Sequence, residues 1–272
     1  MNDAIGGGWG KRYPPAQAKF KSTLLLVHGL WSGAWCWHSW ATHFCNLGWD
    51  SVAIDLRRRS PQNVTGGPQR VSFDDCVQDL REIIRSFSTP PVLLAMDLGA
   101  LMALKALEES EASSIILVSP SPPANLDTAK SRRLRLLWLK YRLLILLKRP
   151  FRIDEKDFRA NFLAPLPANL QTTISQQTVP EPSALVREFF APSVSLKPGP
   201  LPYPLLVVGG SDDAITPPAT SNAIAHHLGG EFRAYRGQGH WLIEHDGENI
   251  VRDIHRWIIR KLGERILLAN FS

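Results

Sequence analysis

Six short apolar runs, separated by segments of helical character, constrain the fold of this chain most strongly. The runs cover residues 24–27, 51–54, 91–96, 115–118, 204–208 and, with a weaker alternating pattern, 231–235. Runs that are this short and apolar throughout are typical of strands buried on both faces of a parallel sheet. The pattern therefore predicts an α/β fold, with a mostly parallel, doubly wound sheet and helices on both faces.

Helix signals lie between these runs. Ser72 and Asp75 form a sequence pattern typical of a capping box, which predicts a helix from Ser72 to about Phe87. Further helices are predicted over residues 98–109, 217–228 and 248–262. Strands and helices thus alternate through most of the chain, as a doubly wound sheet requires.

The strand pattern stops between the fourth and fifth apolar runs, where the chain becomes helical, basic and rich in proline. This change predicts an N-terminal tail over residues 1–21, a core over residues 22–119 and 203–272, and a helical lid inserted over residues 120–202. The centre of the insertion, residues 134–149, mixes leucines with Arg and Lys. It fits either a helix packed on the core by one face or an interfacial helix that contacts anionic lipid.

Composition narrows the class of protein. With 44% hydrophobic residues, 21% charged residues and a mean hydropathy of −0.11, the 272-residue chain is predicted to be globular and soluble. The net charge of +6 is modest and does not indicate a nucleic-acid partner. No signal peptide or membrane span is recognised, and the three cysteines lack the spacing of a disulfide or zinc site. We expect a cytoplasmic protein without metal or cofactor; the oligomeric state stays open.

Chemically active side chains follow the predicted strands. Asp97 stands between the third strand and a helix, with the small residues Ala95 and Gly99 two positions away on either side. A tight strand-turn-helix elbow that exposes its central side chain needs small residues at these positions. Asp213 lies in the loop after the fifth strand, and His240 follows the sixth. Open α/β sheets place their sites at the carboxyl ends of parallel strands, so these three side chains are expected to converge.

In this order, the motifs resemble those of the α/β-hydrolase superfamily, and the resemblance extends from about Ser22 to Leu262. It implies that Asp97 takes the nucleophile position, that Asp213 orients the general base, and that His240 is that base. Asp213 is preferred to Asp212 because, counted back from residues 216–218, it stands at the position of the acid in the family.

The resemblance also implies an oxyanion hole formed by the backbone amides of Leu30 and Leu98. The segment 119–121, where some relatives carry the acid, contains no carboxylate. His28, in the His28-Gly29-Leu30-Trp31 motif, is expected to organise its loop by hydrogen bonding. Arg57, Arg58 and Arg59 are expected at a solvated surface.

An aspartate at the elbow changes the expected chemistry, because most relatives carry serine there. A carboxylate is already ionised at neutral pH and can displace a leaving group from a saturated carbon, which leaves an ester of Asp97. His240 would then activate a water molecule to hydrolyse that ester. Within this superfamily, aspartate nucleophiles are typical of epoxide hydrolases and dehalogenases. We expect a small, apolar organic substrate and assign Trp31, Tyr141 and Trp241 to its pocket.

Supporting residues of those two groups are missing. Trp31 stands where epoxide hydrolases have proline, the insertion offers only Tyr141 as a phenolic proton donor, and Leu98 replaces the tryptophan or arginine that dehalogenases place after the nucleophile. The leaving group, whether of an ester, an epoxide or a halide, is therefore unassigned. Two alternatives stay open: an acid–base lyase or cyclase that uses Asp97 and His240, and a ligand-binding pseudoenzyme in which aspartate has replaced a serine.

Overall fold

The computed structural model describes residues 3–5, 8–56, 71–128, 131–244 and 247–268, and the predicted surface arginines at 57–59 lie outside them. One eight-stranded sheet organises the described residues, in the order β1-β2-β4-β3-β5-β6-β7-β8. Its strands are β1 (Asp3–Ile5), β2 (Gly8–Tyr13), β3 (Leu24–Val27), β4 (Ser51–Asp55), β5 (Val92–Met96), β6 (Ser114–Val118), β7 (Leu205–Gly210) and β8 (Glu231–Tyr235). Strands β3 to β8 are parallel and include all six predicted strands, which confirms the α/β prediction.

Nine α-helices connect the described strands. They are α1 (His38–Asn46), α2 (Phe73–Ser86), α3 (Asp97–Ala106), α4 (Arg132–Leu146), α5 (Glu155–Phe158), α6 (Ala168–Gln176), α7 (Ser183–Phe190), α8 (Pro218–His227) and α9 (Gly247–Leu262). The predicted capping box is present at the start of α2, where Ser72 and Asp75 each accept a hydrogen bond from the other's backbone amide. None of the described helices is long and apolar enough to cross a membrane.

The N-terminal segment corrects the prediction of a tail. Strands β1 and β2 form an antiparallel extension at the edge of the sheet, and β2 pairs with β4. Arg12 on β2 forms an ion pair with Asp50 over 2.8 Å. Backbone pairing with neighbouring strands holds such a segment, so it needs no continuous apolar run and gives a weak sequence signal.

The sheet is buried on both faces, since every side chain of β3, β5 and β6 is buried. Helix α1 packs against α9, and α2 packs against α3. Helices α4 to α7 all lie between β6 and β7, in the segment predicted as an insertion. This segment contacts the loop after β3 directly, because the Val179 amide donates to the Trp31 carbonyl over 3.2 Å. Core packing thus fixes the strand ends from which the candidate site is built.

Candidate active site

Asp97 occupies a strained turn between β5 and α3. Its φ angle of 54° lies in the left-handed region, which is uncommon for a residue with a side chain. The turn depends on Gly99, where an added Cβ atom would lie 2.1 Å from the His28 carbonyl oxygen. Gly29 is equally confined, because its Cβ would lie 2.6 Å from that of Asp97. Glycine is therefore needed at position 99 in the elbow and at position 29 in the loop after β3, because any side chain there would keep the two segments apart.

One carboxylate oxygen of Asp97 lies in the predicted oxyanion hole. The Leu30 amide donates a hydrogen bond to Asp97 Oδ2 over 3.0 Å. The Leu98 amide also donates to this carboxylate. The two amides that the resemblance assigned to a substrate oxyanion thus bind the side chain of Asp97 itself.

The other oxygen of Asp97 faces Ser121 and His240. Ser121 Oγ donates to Asp97 Oδ1 over 3.1 Å, and His240 Nε2 lies 3.9 Å from the same oxygen. Sequence reasoning considered residues 119–121 only for a missing carboxylate and did not select Ser121. Its position directly after β6 was the signal available, because the other site residues also follow parallel strands.

His240 is oriented by Asp213. Its Nδ1 atom lies 2.9 Å from Asp213 Oδ2, and Asp213 Oδ1 accepts hydrogen bonds from the Ile215 and Thr216 amides over 2.8 Å each. A carboxylate can only accept, so Nδ1 carries the proton and donates it, which turns Nε2 toward Asp97. Asp212 is exposed and accepts a hydrogen bond from Ser211 instead.

Burial dominates the electrostatics of the site. It raises the pKa of Asp97, although the charge of His240 and the hydrogen bonds from Leu30, Leu98 and Ser121 oppose the shift. For His240, burial opposes protonation, but the Asp213 charge and hydrogen bond and the Asp97 charge outweigh it and raise the pKa. Both groups therefore hold protons more tightly than they would in water.

Five aromatic side chains close the site, and we call them the aromatic cover: Trp31, Phe158, Phe162, Phe189 and Trp241. The Phe162 ring centroid lies 5.3 Å from that of His240, with the rings nearly perpendicular. Asp97 and His240 are only 2% and 1% exposed. The predicted pocket residues Trp31 and Trp241 thus belong to an apolar layer that covers the two catalytic candidates.

Tyr141, the third predicted pocket residue, makes different contacts. Its hydroxyl donates to Asp157 and accepts from the Asp154 amide, and its ring stacks on Phe151 at 5.5 Å. Burial, followed by the hydrogen bond to Asp157, raises the pKa of Tyr141 to about 12. Tyr141 therefore belongs to the contact between α4 and residues 151–157, because its hydroxyl is hydrogen-bonded there.

His28 lies under the loop that carries Leu30, as expected for an organising residue. It is fully buried, and its Nδ1 lies 2.7 Å from the Gly29 carbonyl oxygen, to which it donates. Its Nε2 accepts from the Leu56 amide over 3.2 Å. Both ring nitrogens are thus used in fixing the loop.

A cavity of about 370 Å³ adjoins the site. Its lining includes Ser121, which binds Asp97, and Phe189 of the aromatic cover, together with Leu134 of α4 and Ile215 beside Asp213. No group of three or more His, Cys, Asp or Glu side chains within the described ranges is arranged to hold a metal ion. The arrangement offers a carboxylate, an imidazole and two amide donors beside a cavity lined by both apolar and polar side chains.

Comparison with known proteins agrees with this architecture. Residues 24–253 match the profile of the alpha/beta hydrolase family. Methylesterase 4 of Arabidopsis thaliana is 30% identical over 108 residues, a match that covers 38% of this chain and 41% of that relative. The chain therefore aligns with less than half of the length of that curated protein.

Solved structures share the fold at low sequence identity. The esterase EaEST from Exiguobacterium antarcticum superposes with a TM-score of 0.71 at 15% identity, covering 94% of this chain and 98% of that one. MenH from S. aureus superposes with a TM-score of 0.72 at 17% identity, covering 93% and 98%. These similarities extend the shared fold over nearly the whole chain.

Proposed function

This chain belongs to the alpha/beta hydrolase family, and on that basis we propose that it hydrolyses a small, apolar organic substrate through a covalent ester of Asp97. The observation that carries the proposal is the division of contacts between the two oxygens of this carboxylate, which face different groups. Oδ2 accepts from the Leu30 amide, whereas Oδ1 faces His240. This division matches the two oxygens of an ester, one bonded to the alkyl carbon and one a carbonyl oxygen.

In the first step, Asp97 Oδ1 attacks a saturated carbon of the substrate. The bond from that carbon to the leaving group breaks, and the leaving group departs with the electron pair. Oδ2 then becomes the carbonyl oxygen of the ester, already held by the Leu30 amide, and the Leu98 amide also donates to this carboxylate. Attack on a substrate carbonyl would instead need these amides to be free for the substrate oxyanion. The occupied hole therefore favours displacement at saturated carbon.

In the second step, a water molecule attacks Asp97 Cγ while His240 Nε2 takes its proton. The negative charge develops on Oδ2, where the Leu30 amide stabilises it, and collapse of the tetrahedral intermediate expels Oδ1 with the alkyl group as an alkoxide. The alkoxide takes the proton from His240 and leaves as an alcohol. Asp97 is left with the second proton of the water molecule and releases it to the departed leaving group or to solvent, which restores the starting carboxylate, so the net reaction adds one water molecule across the broken bond.

Alkylation also prepares His240 for this second step. The negative charge of Asp97 is one of the causes that raise the pKa of His240. Formation of the ester removes that charge, so the pKa of the imidazole falls when a neutral base is needed. Charge coupling across the 3.9 Å between His240 Nε2 and Asp97 Oδ1 would thus order the two steps.

The apolar surroundings support a substrate of hydrocarbon character. The aromatic cover next to Asp97 and His240 offers few polar partners, whereas the cavity beside Ser121 is lined by both apolar and polar side chains, among them Asn125 and Asp127. Three leaving groups suit displacement at saturated carbon: an epoxide oxygen, a halide and the carboxylate of a methyl ester. The name of the Arabidopsis relative, a methylesterase, points to the third.

A single-turnover experiment in water labelled with oxygen-18 tests the mechanism. Probes are styrene oxide, benzyl bromide, chloroacetate and methyl benzoate. If catalysis is covalent, the oxygen-18 of the first turnover enters the Asp97 carboxyl. The alcohol product of that turnover carries unlabelled oxygen, which comes from Asp97. His240→Gln should accumulate the alkyl ester, which peptide mass spectrometry would assign to Asp97, whereas Asp97→Asn should form none. Label in the first product, or no adduct at Asp97 with any probe, would contradict the proposal.

Acid–base catalysis without a covalent bond is the second candidate. It is favoured by the Ser121 hydrogen bond to Asp97 Oδ1, which engages the oxygen that would attack. In this mechanism Asp97 and His240 exchange protons with the substrate, as in a lyase, and oxygen-18 never enters Asp97. The Asp97→Ser variant distinguishes the pseudoenzyme alternative from both catalytic mechanisms. Hydrolysis of an aryl acetate by that variant alone, with the native chain inert on all probes, would favour it.

A further inference from the structure

Helix α4 carries a row of exposed leucines, which we call the leucine stripe: Leu136, Leu139, Leu143, Leu146 and, directly after the helix, Leu147. These side chains are between 54% and 70% exposed. Together with Leu144, they are all of the exposed large hydrophobic side chains among the residues that the structure describes. Apolar surface exposed by this protein is therefore concentrated on one element, which is the distribution of an interaction surface.

The leucine stripe has no role in the core. The opposite side of α4 carries Leu137, Tyr141 and Ile145, which are buried at the four-residue spacing of a helix face. That side packs against α7, with the rings of Trp138 and Phe190 6.1 Å apart. Helix α4 thus has two apolar faces, and packing within the chain uses one of them.

The charged residues of the segment that carries the stripe are all basic. From Thr128 to Ile153 the sequence contains nine Lys and Arg residues and no Asp or Glu. The whole chain carries +6, so all other residues together carry −3. An excess of this kind, confined to one segment, indicates a partner with negative charge.

The positions of the basic residues fit the stripe. At about 100° per residue, Arg135 and Arg142 project along one border of the leucines, and Arg133 and Lys140 along the other. Lys140 pairs with Asp157. Arg135 and Arg142 form no ion pair or hydrogen bond with any residue in the described part of the chain. An apolar strip bordered by guanidinium groups matches the boundary between lipid acyl chains and anionic headgroups.

We propose that α4 docks this protein on an anionic lipid surface. Its axis would lie in the plane of the membrane, with the leucine stripe between the acyl chains and Arg135 and Arg142 at the phosphates. At 15 residues the helix is about 22 Å long, too short to cross the roughly 30 Å hydrocarbon core. A second copy of the chain fits the same surface poorly, because antiparallel or parallel pairing of two α4 helices would bring like charges together.

The docking surface borders the cavity beside the candidate site. Ser131, which caps α4, and Leu134, in its first turn, both line the cavity that includes Ser121. A compound dissolved in the lipid would therefore meet the cavity at the end of the docked helix. The membrane proposal does not depend on how Asp97 acts, and its test requires no turnover.

Cosedimentation with two kinds of vesicle tests the proposal. One kind contains phosphatidylcholine alone, and the other equal parts of phosphatidylcholine and phosphatidylglycerol. The native chain should partition onto the anionic vesicles and not onto the neutral ones. Leu139→Ser/Leu143→Ser/Leu146→Ser should lower the partition coefficient at least about tenfold. These side chains are exposed, so an unchanged far-UV circular dichroism spectrum and Tm should accompany the loss.

Charge variants give the matched control. Arg135→Glu/Arg142→Glu should lower partitioning onto anionic vesicles at least about tenfold. Arg236→Glu/Arg256→Glu makes the same change in net charge at exposed residues of other elements and should retain the binding. Absence of binding to anionic vesicles, or an equal loss in both charge variants, would overturn the proposal. So would a dimer by light scattering that the triple serine variant dissociates, since the stripe would then bind a second copy.

Discussion

His240 Nε2 lies 3.9 Å from Asp97 Oδ1, while Nδ1 of the same ring lies 2.9 Å from Asp213 Oδ2. One buried imidazole is thus placed between two carboxylates, of which one is hydrogen-bonded to it and the other is close but not bonded. The Asp97 carboxylate is free to change its charge during a reaction, and the Asp213 carboxylate keeps the ring in place. This asymmetry underlies the chemistry proposed for the site and most of the predictions below.

Removal of the Ser121 hydroxyl should shift the pH dependence of alkylation. Its hydrogen bond lowers the pKa of Asp97 against the effect of burial, so Ser121→Ala should raise that pKa further. The alkylation rate depends on the ionised carboxylate and falls as pH decreases through this pKa. We expect the acid limb of the rate profile, measured by adduct formation in His240→Gln, to move up by as much as about one unit.

Ser119→Ala is the matched control for that shift. Ser119 is buried close to Ser121, and its hydroxyl has no hydrogen-bond partner. Its loss should leave the acid limb within about 0.2 units of the native position. Equal shifts in both serine variants would show that general repacking, and not the hydrogen bond to Asp97, sets the pKa.

Asp97→Asn should stabilise the fold at neutral and alkaline pH. The pKa of Asp97 is raised in the folded state, so the stability linked to its protonation is present below the unfolded pKa and is lost as pH rises through the folded one. Asparagine cannot ionise and avoids this loss. We expect a gain of about 1 kcal/mol, or roughly 2–4 °C in Tm, at about pH 8, and a smaller gain at about pH 5. A native Tm equal to or above that of the variant at the higher pH would contradict the expected cost of ionising Asp97.

Asp213→Asn should slow hydrolysis of the Asp97 ester. The variant keeps an acceptor for His240 Nδ1 but loses the negative charge that stabilises the imidazolium. We expect the single-turnover rate of ester hydrolysis to fall by about 10²–10⁴-fold, with the ester accumulating in the mass spectrum. Asp212→Asn changes the exposed neighbour and should alter the rate by less than about twofold. Equal losses would mean that loop disruption, not the charge next to His240, is responsible.

Gly99→Ala should be much more destabilising than an alanine at another glycine. The new Cβ would lie 2.1 Å from the His28 carbonyl, and both atoms belong to packed backbone, so we expect a loss of about 3 kcal/mol. At Gly263 nothing lies within 4 Å of the added Cβ, and only its φ of +60° costs about 1 kcal/mol on Gly263→Ala. Chemical denaturation of both variants measures the difference. Similar losses would contradict the close contact between the elbow and the β3 loop.

The buried strands and the elbow could be predicted from sequence because local rules govern them. Strand β3 is buried on both faces, so each of its residues must be apolar and its limits at Leu24 and Val27 are visible directly. The turn at Asp97 requires small neighbours at 95 and 99, which is again a condition on adjacent positions. Asp97, Asp213 and His240 each follow a parallel strand, so their placement at the same edge of the sheet follows from the parallel arrangement.

Other features depend on contacts between distant residues and gave no local signal. Strand β2 is held by pairing with β4, and Tyr141 is drawn to Asp157 and Phe151. Likewise, the sequence of α4 fitted both a packed helix and a lipid-binding helix. Only packing against α7 decides which leucines are buried and which form the exposed stripe.

The sequence by itself determined that this chain folds as a doubly wound α/β sheet with an aspartate at its elbow, because apolar periodicity and turn sterics act over a few residues. The tertiary structure alone decided that Asp97 Oδ2 binds the Leu30 amide, 67 positions away, and that Ser121 takes up Oδ1. It also decided that aromatic rings from the insertion cover His240. Hydrogen bonds and ring contacts of this kind join residues from separate strand ends and loops, and their geometry exists only once the sheet has brought those ends together.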